Sequence, residues 1–314
     1  MDPEIKVSVC VVTYNQEKYI AECLQSLVDQ ETDFKFEVIV GEDCSTDRTR
    51  EIVLEFQKKY PDIVKPLLHE KNVGPVQNII ATYKQAKGKY IAHMDGDDLA
   101  LPDKLQIQVE ALDQNPDCVI CSHDMKRITS EGKKLNRTFN VHKKVKNTIF
   151  DLYETLPFFA HSSKMFVNDL DKEFWKELHP QALDIEIHVH QVKFGNIYHI
   201  DKAYGAYRLG VGISSEVVGK VNPIIPAGNE RIFKEAMIVY KDRDSEIKKC
   251  YAKSLMNYAY QSAISNDSKG YVGYIRKSVL IKVISIKQIL MFIFSFIPDT
   301  GIALAHKIKN LINR

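Results

Sequence analysis

The chain has 314 residues, 45% hydrophobic and 27% charged, so it holds enough apolar material for a sizeable core and fits one large domain with an appendage or two small ones. A formal net charge of +2 excludes a polycation, and nucleic acid is not an implied partner. The lone CxxC, Cys118 and Cys121, has no second cysteine pair, which excludes an ordinary structural zinc site.

The other cysteines are scattered, as free thiols of a cytoplasmic protein are, and residues 1–6 are too polar for a signal peptide. Residues 7–12 form a β-branched apolar run that predicts a buried strand. Ile20, Cys23, Leu24, Leu27 and Val28 follow with the spacing of one helix face. Residues 36–40 predict a second strand, and Ser45, Thr46 and Asp47 offer an N-cap to a helix carrying Ile52, Val53 and Phe56. Residues 64–69 predict a third strand. Gly74 and Pro75 open a helix that Gly88 is expected to close, and residues 90–94 predict a fourth strand.

This alternation implies a mostly parallel sheet with helices on both faces. Ligands of such sheets bind at the carboxyl ends of the strands. Topology therefore brings Thr13-Tyr14-Asn15, Glu42-Asp43 and Asp95-Gly96-Asp97-Asp98 to one rim.

Beyond Pro102 a helix carries Leu105, Val109 and Leu112, and residues 118–128 predict a strand with polar interruptions. Residues 130–146 are basic and predict a hairpin or loop. A strand is expected at 164–167, a helix at 183–192, strand and turn at 197–207, and a flexible stretch around Gly210, Gly212, Ser214 and Ser215. The pattern then turns helical, at 232–240 and 250–264. Residues 271–314 carry seven basic residues against one acid, Asp299, around the apolar run 289–297. That run is too short to span a bilayer, which takes about 20 residues. With the amphipathic stretch 302–312, it suits an anionic membrane surface, or a helix docked on the protein's own core.

Three carboxylates beside one glycine repel one another, and a divalent cation offsets that repulsion. Hard oxygen ligands select Mg²⁺ or Mn²⁺, ions that keep coordination positions for phosphate oxygens. The alternative is a solvated acidic turn in which Asp98 caps the next helix. An acid at the end of the second strand can accept from a base N–H or a ribose hydroxyl, and Tyr14 can lie against a base or simply pack the rim.

The segments VSVCVVTYNQEKYIAECLQSLVDQ, FEVIVGEDCSTDRT, NVGPVQNIIATYKQAKGKYIAHMDGDDLALPDKL and, more weakly, LDIEIHVHQVKFGNIYHIDKAYGAYR resemble family 2 glycosyltransferases of the GT-A fold, over about the first 215 residues. The resemblance implies an α/β Rossmann-like, mostly parallel sheet at 1–220 and a helical extension at 221–314. It implies that Val12, Thr13, Tyr14 and Asn15 line a nucleobase pocket, with Asp43 accepting from uracil N3 and Glu42 beside it. Asp95 would contact ribose or the metal, Gly96 would lie in the donor site, and Asp97 of the Asp-x-Asp motif would be the principal Mn²⁺ or Mg²⁺ ligand. The family's later catalytic base often lies in a Glu-Asp pair. This chain has Leu183-Asp184-Ile185-Glu186 instead, so the base falls to Asp184 or Glu186. The family's Tyr-Arg-x-His becomes Tyr207-Arg208-Leu209-Gly210, which lacks the histidine and leaves Arg208 to contact the diphosphate.

The implied activity is inverting sugar transfer from a nucleotide diphosphate sugar, favouring UDP-hexose. The acceptor would be a polyprenyl-diphosphate-linked saccharide of O-antigen or capsule synthesis, at the cytoplasmic face of the inner membrane. A nucleotidyltransferase and a sugar-nucleotide-binding scaffold without transfer activity are the competing readings. His188 and His190, two apart on a helix, point to opposite faces and do not share a metal. Phe174 and Trp175 either stack on an acceptor sugar or pack internally.

Overall fold

The computed structural model describes residues 4–139, 141–168, 175, 178–211 and 221–312. The chain divides into two compact units, residues 1–212 and 213–314, so the division precedes the expected 220/221 boundary. Phe174, Gly212, Ser214 and Ser215 lie outside the described residues.

The first unit is built on strands β1 (Val7–Thr13), β2 (Phe36–Glu42), β3 (Val64–Leu68), β4 (Tyr90–Asp95), β5 (Leu99–Ala100), β6 (Cys118–Ile128), β7 (Lys134–Thr138), β8 (Lys146–Asn147), β9 (Met165–Val167) and β10 (Asn196–Arg208). They form one sheet in the order β3-β2-β1-β4-β9-β6-β10-β5, with β7 on β6 and β8 on β10. Helices α1 (Ile20–Val28), α2 (Thr49–Lys59), α3 (Pro75–Gln85), α4 (Lys104–Gln114), α5 (Ile149–Glu154) and α6 (Asp184–Gln191) connect them.

The half from β3 to β4 is parallel, as the strand–helix alternation requires. The other half is mixed: β9 runs antiparallel to β4 and β6, and β5, β7 and β8 are antiparallel to their partners. β9 follows a connection that holds a six-residue helix and a single 3₁₀ turn, and it enters between β4 and β6 antiparallel to both. The expectation of a mostly parallel sheet therefore holds for the first hundred residues and gives way to a mixed sheet after them.

β1 lies between β2 and β4 and is buried along nearly its whole length. Val7, Val9 and Val11 join Leu24 and Leu27 of α1 and Val38 and Val40 of β2 in one core. Cys118 and Cys121 are buried free thiols. Gly88 does not close α3, which ends at Gln85. It lets the chain pass β1, where a Cβ would lie 2.5 Å from the Ser8 nitrogen.

The second unit is helical: α7 (Ile224–Val239), α8 (Asp244–Ile264), α9 (Ser268–Ile281), α10 (Ile286–Phe294) and α11 (Pro298–Ile312). Asp267 and Ser285 cap α9 and α10 by accepting from Gly270 N and Gln288 N. Ala259, Ala263, Tyr271, Ile275, Ile302 and Ala305 pack together, and Gly301 allows α11 to approach the Tyr271 ring. Leu280, Ile286, Leu290, Ile293 and Phe296 remain exposed. Among the described residues no helix is long and apolar enough to cross a membrane.

Candidate active site

Strand register brings the three rim segments together. Val12 pairs with Asp95 and Thr13 with Glu42. Gly96 N donates to Val12 O at 3.0 Å, and Asp43 N donates to Thr13 O at 3.1 Å. A Cβ on Gly96 would lie 2.5 Å from Gln16 Oε1 and 3.0 Å from Thr13 Cβ, so a side chain there requires Gln16 and Thr13 to shift.

At the end of β1, Tyr14 is 45% exposed. Asn15 has φ 52°, a left-handed conformation that asparagine tolerates. Its Oδ1 accepts from Thr46 N at 2.8 Å and its N donates to Ser45 Oγ at 3.0 Å, joining the first loop to the second. Glu42 is fully buried. Its Oε1 accepts from Ser45 N, and its Oε2 pairs with Arg50, which also donates to His69 O. Asp43 accepts from Val73 N at 2.7 Å and Gly74 N at 3.0 Å. Each of its oxygens has a second lone pair for a ligand.

The acidic turn holds its three carboxylates in different states. Burial raises Asp95, but hydrogen bonds from His93 and Ser162 outweigh it and hold the carboxyl below its ordinary range. Burial first and then Asp95 push Asp97 up to about 6. Burial, Asp95 and Asp97 together push Asp98 well above its ordinary value. Asp98 Oδ1 accepts from Arg208 N at 2.9 Å, while the buried Oδ2 has no hydrogen-bond partner among the described residues. Asp98 therefore binds β10 and does not cap α4. Beneath the turn, Lys104 Nζ donates to Ser162 O at 2.7 Å, and burial lowers its pKa to about 8.

Behind Asp95 lies a polar brace. Ser162 Oγ donates to Asp95 Oδ2 at 3.0 Å. His93 Nε2 lies 3.2 Å from Asp95 Oδ1, and its Nδ1 lies 2.9 Å from Tyr83 Oη. With Asp95 ionised, this assigns the proton to Nε2 and leaves Nδ1 to accept from the tyrosine. His161 stacks on His93 at 3.5 Å with planes 13° apart. Ligand atoms of His93, Asp95 and His161 lie within 4.8 Å of one another. Ring lone pairs lie in the ring planes, so two stacked imidazoles do not converge on one ion. The trio reads instead as a support that orients Asp95.

Asp184 is the first residue of α6, is partly exposed, and accepts from Ile185 N. Burial raises its pKa, and the negative charge of Asp95 raises it further, which brings the two into one electrostatic neighbourhood. Lys164, fully buried, lies in the same neighbourhood. Its Nζ donates to Gln191 Oε1, and burial lowers its pKa to about 7. Glu186 Oε2 accepts from Leu183 N at 2.8 Å and so closes the amino end of α6. The two candidate bases are thereby distinguished by what each already holds.

Arg208 is 2% exposed. Its Nε donates to Asp97 O, its Nη1 to Thr129 O and Ser130 O, and its Nη2 to Glu22. Its guanidinium lies over the Tyr19 ring. The side chain is engaged behind the acidic turn, whereas the family resemblance has it contact the diphosphate. Trp175 packs edge-on against Tyr83, and His188 stacks on Phe159.

Gln16, Tyr83, Lys104, Ser162 and Lys164 join the site without having been expected there. A lysine beginning the apolar run 164–167 was the one available signal.

A family model described as glycosyl transferase family 2 matches residues 8–175. The chain belongs to glycosyl transferase family 2. It is 36% identical over 131 residues to the poly(ribitol-phosphate) beta-N-acetylglucosaminyltransferase TarS of Staphylococcus aureus, covering 41% of this chain and 22% of the relative. It is 38% identical over 129 residues to an uncharacterized protein of Mycobacterium tuberculosis, covering 41% of this chain and 37% of the relative. The matches thus span well under half the length of these relatives. Among solved structures, S. aureus TarS 1–349 in complex with UDP-GlcNAc superimposes with a TM-score of 0.64 at 21% identity, covering 98% of this chain and 92% of that one. That likeness carries the GT-A fold. In this family 2 domain the acidic turn supplies oxygen donors of the kind hard divalent cations take, and one buried oxygen of Asp98 has no hydrogen-bond partner among the described residues.

Proposed function

We propose that this family 2 chain is a metal-dependent inverting glycosyltransferase that uses a uridine diphosphate sugar as donor. The observation that carries this reading is the strand register that sets the Asp95–Asp97–Asp98 turn beside the ends of β1 and β2, where Tyr14 and Asp43 follow. TarS, crystallised with UDP-GlcNAc, supports a UDP-sugar donor.

In this reading Tyr14 lies against uracil, flanked by Val12, Thr13 and Asn15, and Asp43 accepts from uracil N3 beside Glu42. Asp97 and Asp95 hold Mn²⁺ or Mg²⁺ at the turn containing Gly96. The bound ion supplies charge neutralisation for the departing diphosphate. Asp184 takes the proton from the acceptor hydroxyl, whose oxygen forms a bond to the anomeric carbon as the bond to the diphosphate oxygen breaks, and the nucleotide diphosphate leaves with that electron pair. Attack from the opposite face turns an α-linked donor into a β-linked product. Partial burial, which raises Asp184, favours proton acceptance.

The acceptor in this reading is a hydroxyl of a lipid-linked saccharide of surface polysaccharide synthesis, met at the cytoplasmic face of the inner membrane. Exposed apolar residues on α10 lie among Lys282, Lys287 and Arg276, a combination that suits an anionic lipid surface.

The test is nucleotide release from a panel of nucleotide sugars with Mn²⁺ or with EDTA. Metal-dependent release from one UDP-sugar is expected. No release from any sugar nucleotide would favour a binding scaffold or a nucleotidyltransferase.

A further inference from the structure

The basic stretch 126–146 contains eight lysines and arginines and one acid, Glu131. It folds into the β6–β7 hairpin and the segment leading to β8. On the hairpin lies an open groove of about 880 Å³, lined by Lys126, Arg127, Lys134 and Arg137, with Leu135 and Phe139 as apolar walls. No carboxylate lines it among the described residues.

The cations of this stretch differ in what they pair with. Lys144 and Lys146 are paired with Asp151 and Asp117. Lys126, Lys134 and Arg137 are exposed and make no ion pair among the described residues. Arg127 donates through Nη2 to Phe139 O at 2.8 Å, while its buried Nε has no hydrogen-bond partner among the described residues. Four like charges in one concave surface repel one another, and an anionic occupant relieves that repulsion. Glu131 is not among the residues that line the groove.

The groove has a defined position relative to the acidic turn. β6 is parallel to β10, so Lys126 and Arg127 lie at the carboxyl end of the sheet, beside Ala206 and Tyr207. The Phe139 ring meets Tyr207 edge-on at 5.1 Å. Arg208 donates to Thr129 O and Ser130 O at the hairpin base and to Asp97 O in the acidic turn. A single guanidinium thus ties the hairpin to the turn, and both stand at the carboxyl end of the sheet.

We propose that this groove docks the acceptor, and that the acceptor is a glycan or polyol chain carrying repeated negative charge as phosphodiesters or carboxylates. Arginine and lysine on adjacent strands meet successive anionic groups, while Leu135 and Phe139 give the sugar or polyol carbons an apolar wall. The inference rests on the transferase reading above and names the acceptor's chemistry.

The experiment measures binding of the full chain to oligo(glycerol phosphate), to oligogalacturonate, to neutral dextran and to phosphatidylglycerol vesicles. UDP binding with Mn²⁺ is measured in parallel. Wild type is expected to bind one or both anionic oligomers, more weakly as salt rises, and to ignore dextran. The relative affinities of the two oligomers identify phosphodiester or carboxylate as the recognised group. Lys134→Gln with Arg137→Gln should weaken that binding by about tenfold or more and leave UDP binding unchanged. Unchanged oligomer binding in the double variant, or binding to vesicles alone, would overturn the proposal. Loss of UDP binding in wild type with oligomer binding intact would count against the transferase reading and leave the anionic groove standing.

Discussion

Arg208 and Asp97 are joined through the backbone: the guanidinium Nε donates to the Asp97 carbonyl oxygen at 2.9 Å. The Arg208 N–H donates to Asp98 Oδ1, also at 2.9 Å. The last residue of β10 thus fixes the acidic turn from behind, across more than a hundred residues of chain.

Arg208→Gln leaves the Asp97, Thr129 and Ser130 carbonyl oxygens short of a donor. The ion pair with Glu22 adds little, because Glu22 is exposed. The expected loss of stability is about 2–3 kcal/mol, read by urea unfolding. Metal-dependent turnover should fall more steeply than donor binding. A variant with wild-type stability and turnover would remove the bracing role.

Asp184 and Glu186 should separate cleanly. Asp184→Asn is expected to lower kcat by about 100-fold or more while UDP-sugar binding persists. Glu186→Ala removes the acceptor for Leu183 N and should cost about 1 kcal/mol of stability with kcat largely kept. The reverse pattern in a kinetic assay would exchange their roles.

Lys164 predicts a pH dependence of stability. Burial lowers its folded pKa to about 7, below the roughly 10.4 of an unfolded lysine. Between those values the unfolded chain holds a proton that the folded chain lacks, so this group's contribution to stability falls as pH drops and, below about pH 7, is flat at its lowest, both states being charged. Stability rises with pH wherever the unfolded state binds more protons than the folded state. The difference in unfolding free energy between wild type and Lys164→Met should therefore rise in favour of wild type from pH 7 to about 10. A flat difference would mean that Lys164 titrates normally.

The apolar surface of α10 can be tested without disturbing the core, since Ile286, Leu290 and Ile293 are exposed. Replacing all three with Asp should reduce sedimentation with phosphatidylglycerol vesicles by about tenfold or more, and salt should weaken wild-type attachment. Equal sedimentation of the variant would remove this face from membrane binding.

Much of the rim was legible because its signals are local. The β-branched runs of β1, β2 and β4 and their terminal polar residues lie within a few residues of one another, and parallel topology supplies the rest. What depends on distant contact could not be foreseen. Nothing near Arg208 indicates that it closes on Asp97 and Asp98, and nothing near His93 indicates that it orients Asp95 with Tyr83 behind it. β9 was legible as a strand at 164–167, but its direction is set by pairing with the distant strands β4 and β6. Glu186 could not be separated from Asp184 by pattern, because the helix start at Asp184 decides that Glu186 accepts from Leu183 N. The role of Gly88 was hidden for a similar reason: its neighbour is Ser8 on β1, not the end of α3.

The most direct test is a calorimetric titration of UDP-GlcNAc and related UDP-sugars into the protein, with Mn²⁺ or with EDTA, for wild type and Asp97→Asn. Metal-dependent binding of a UDP-sugar by wild type, lost in a variant that unfolds at the same temperature, is the expected result. Equal metal-dependent binding in both proteins, or no binding of any UDP-sugar, would contradict it.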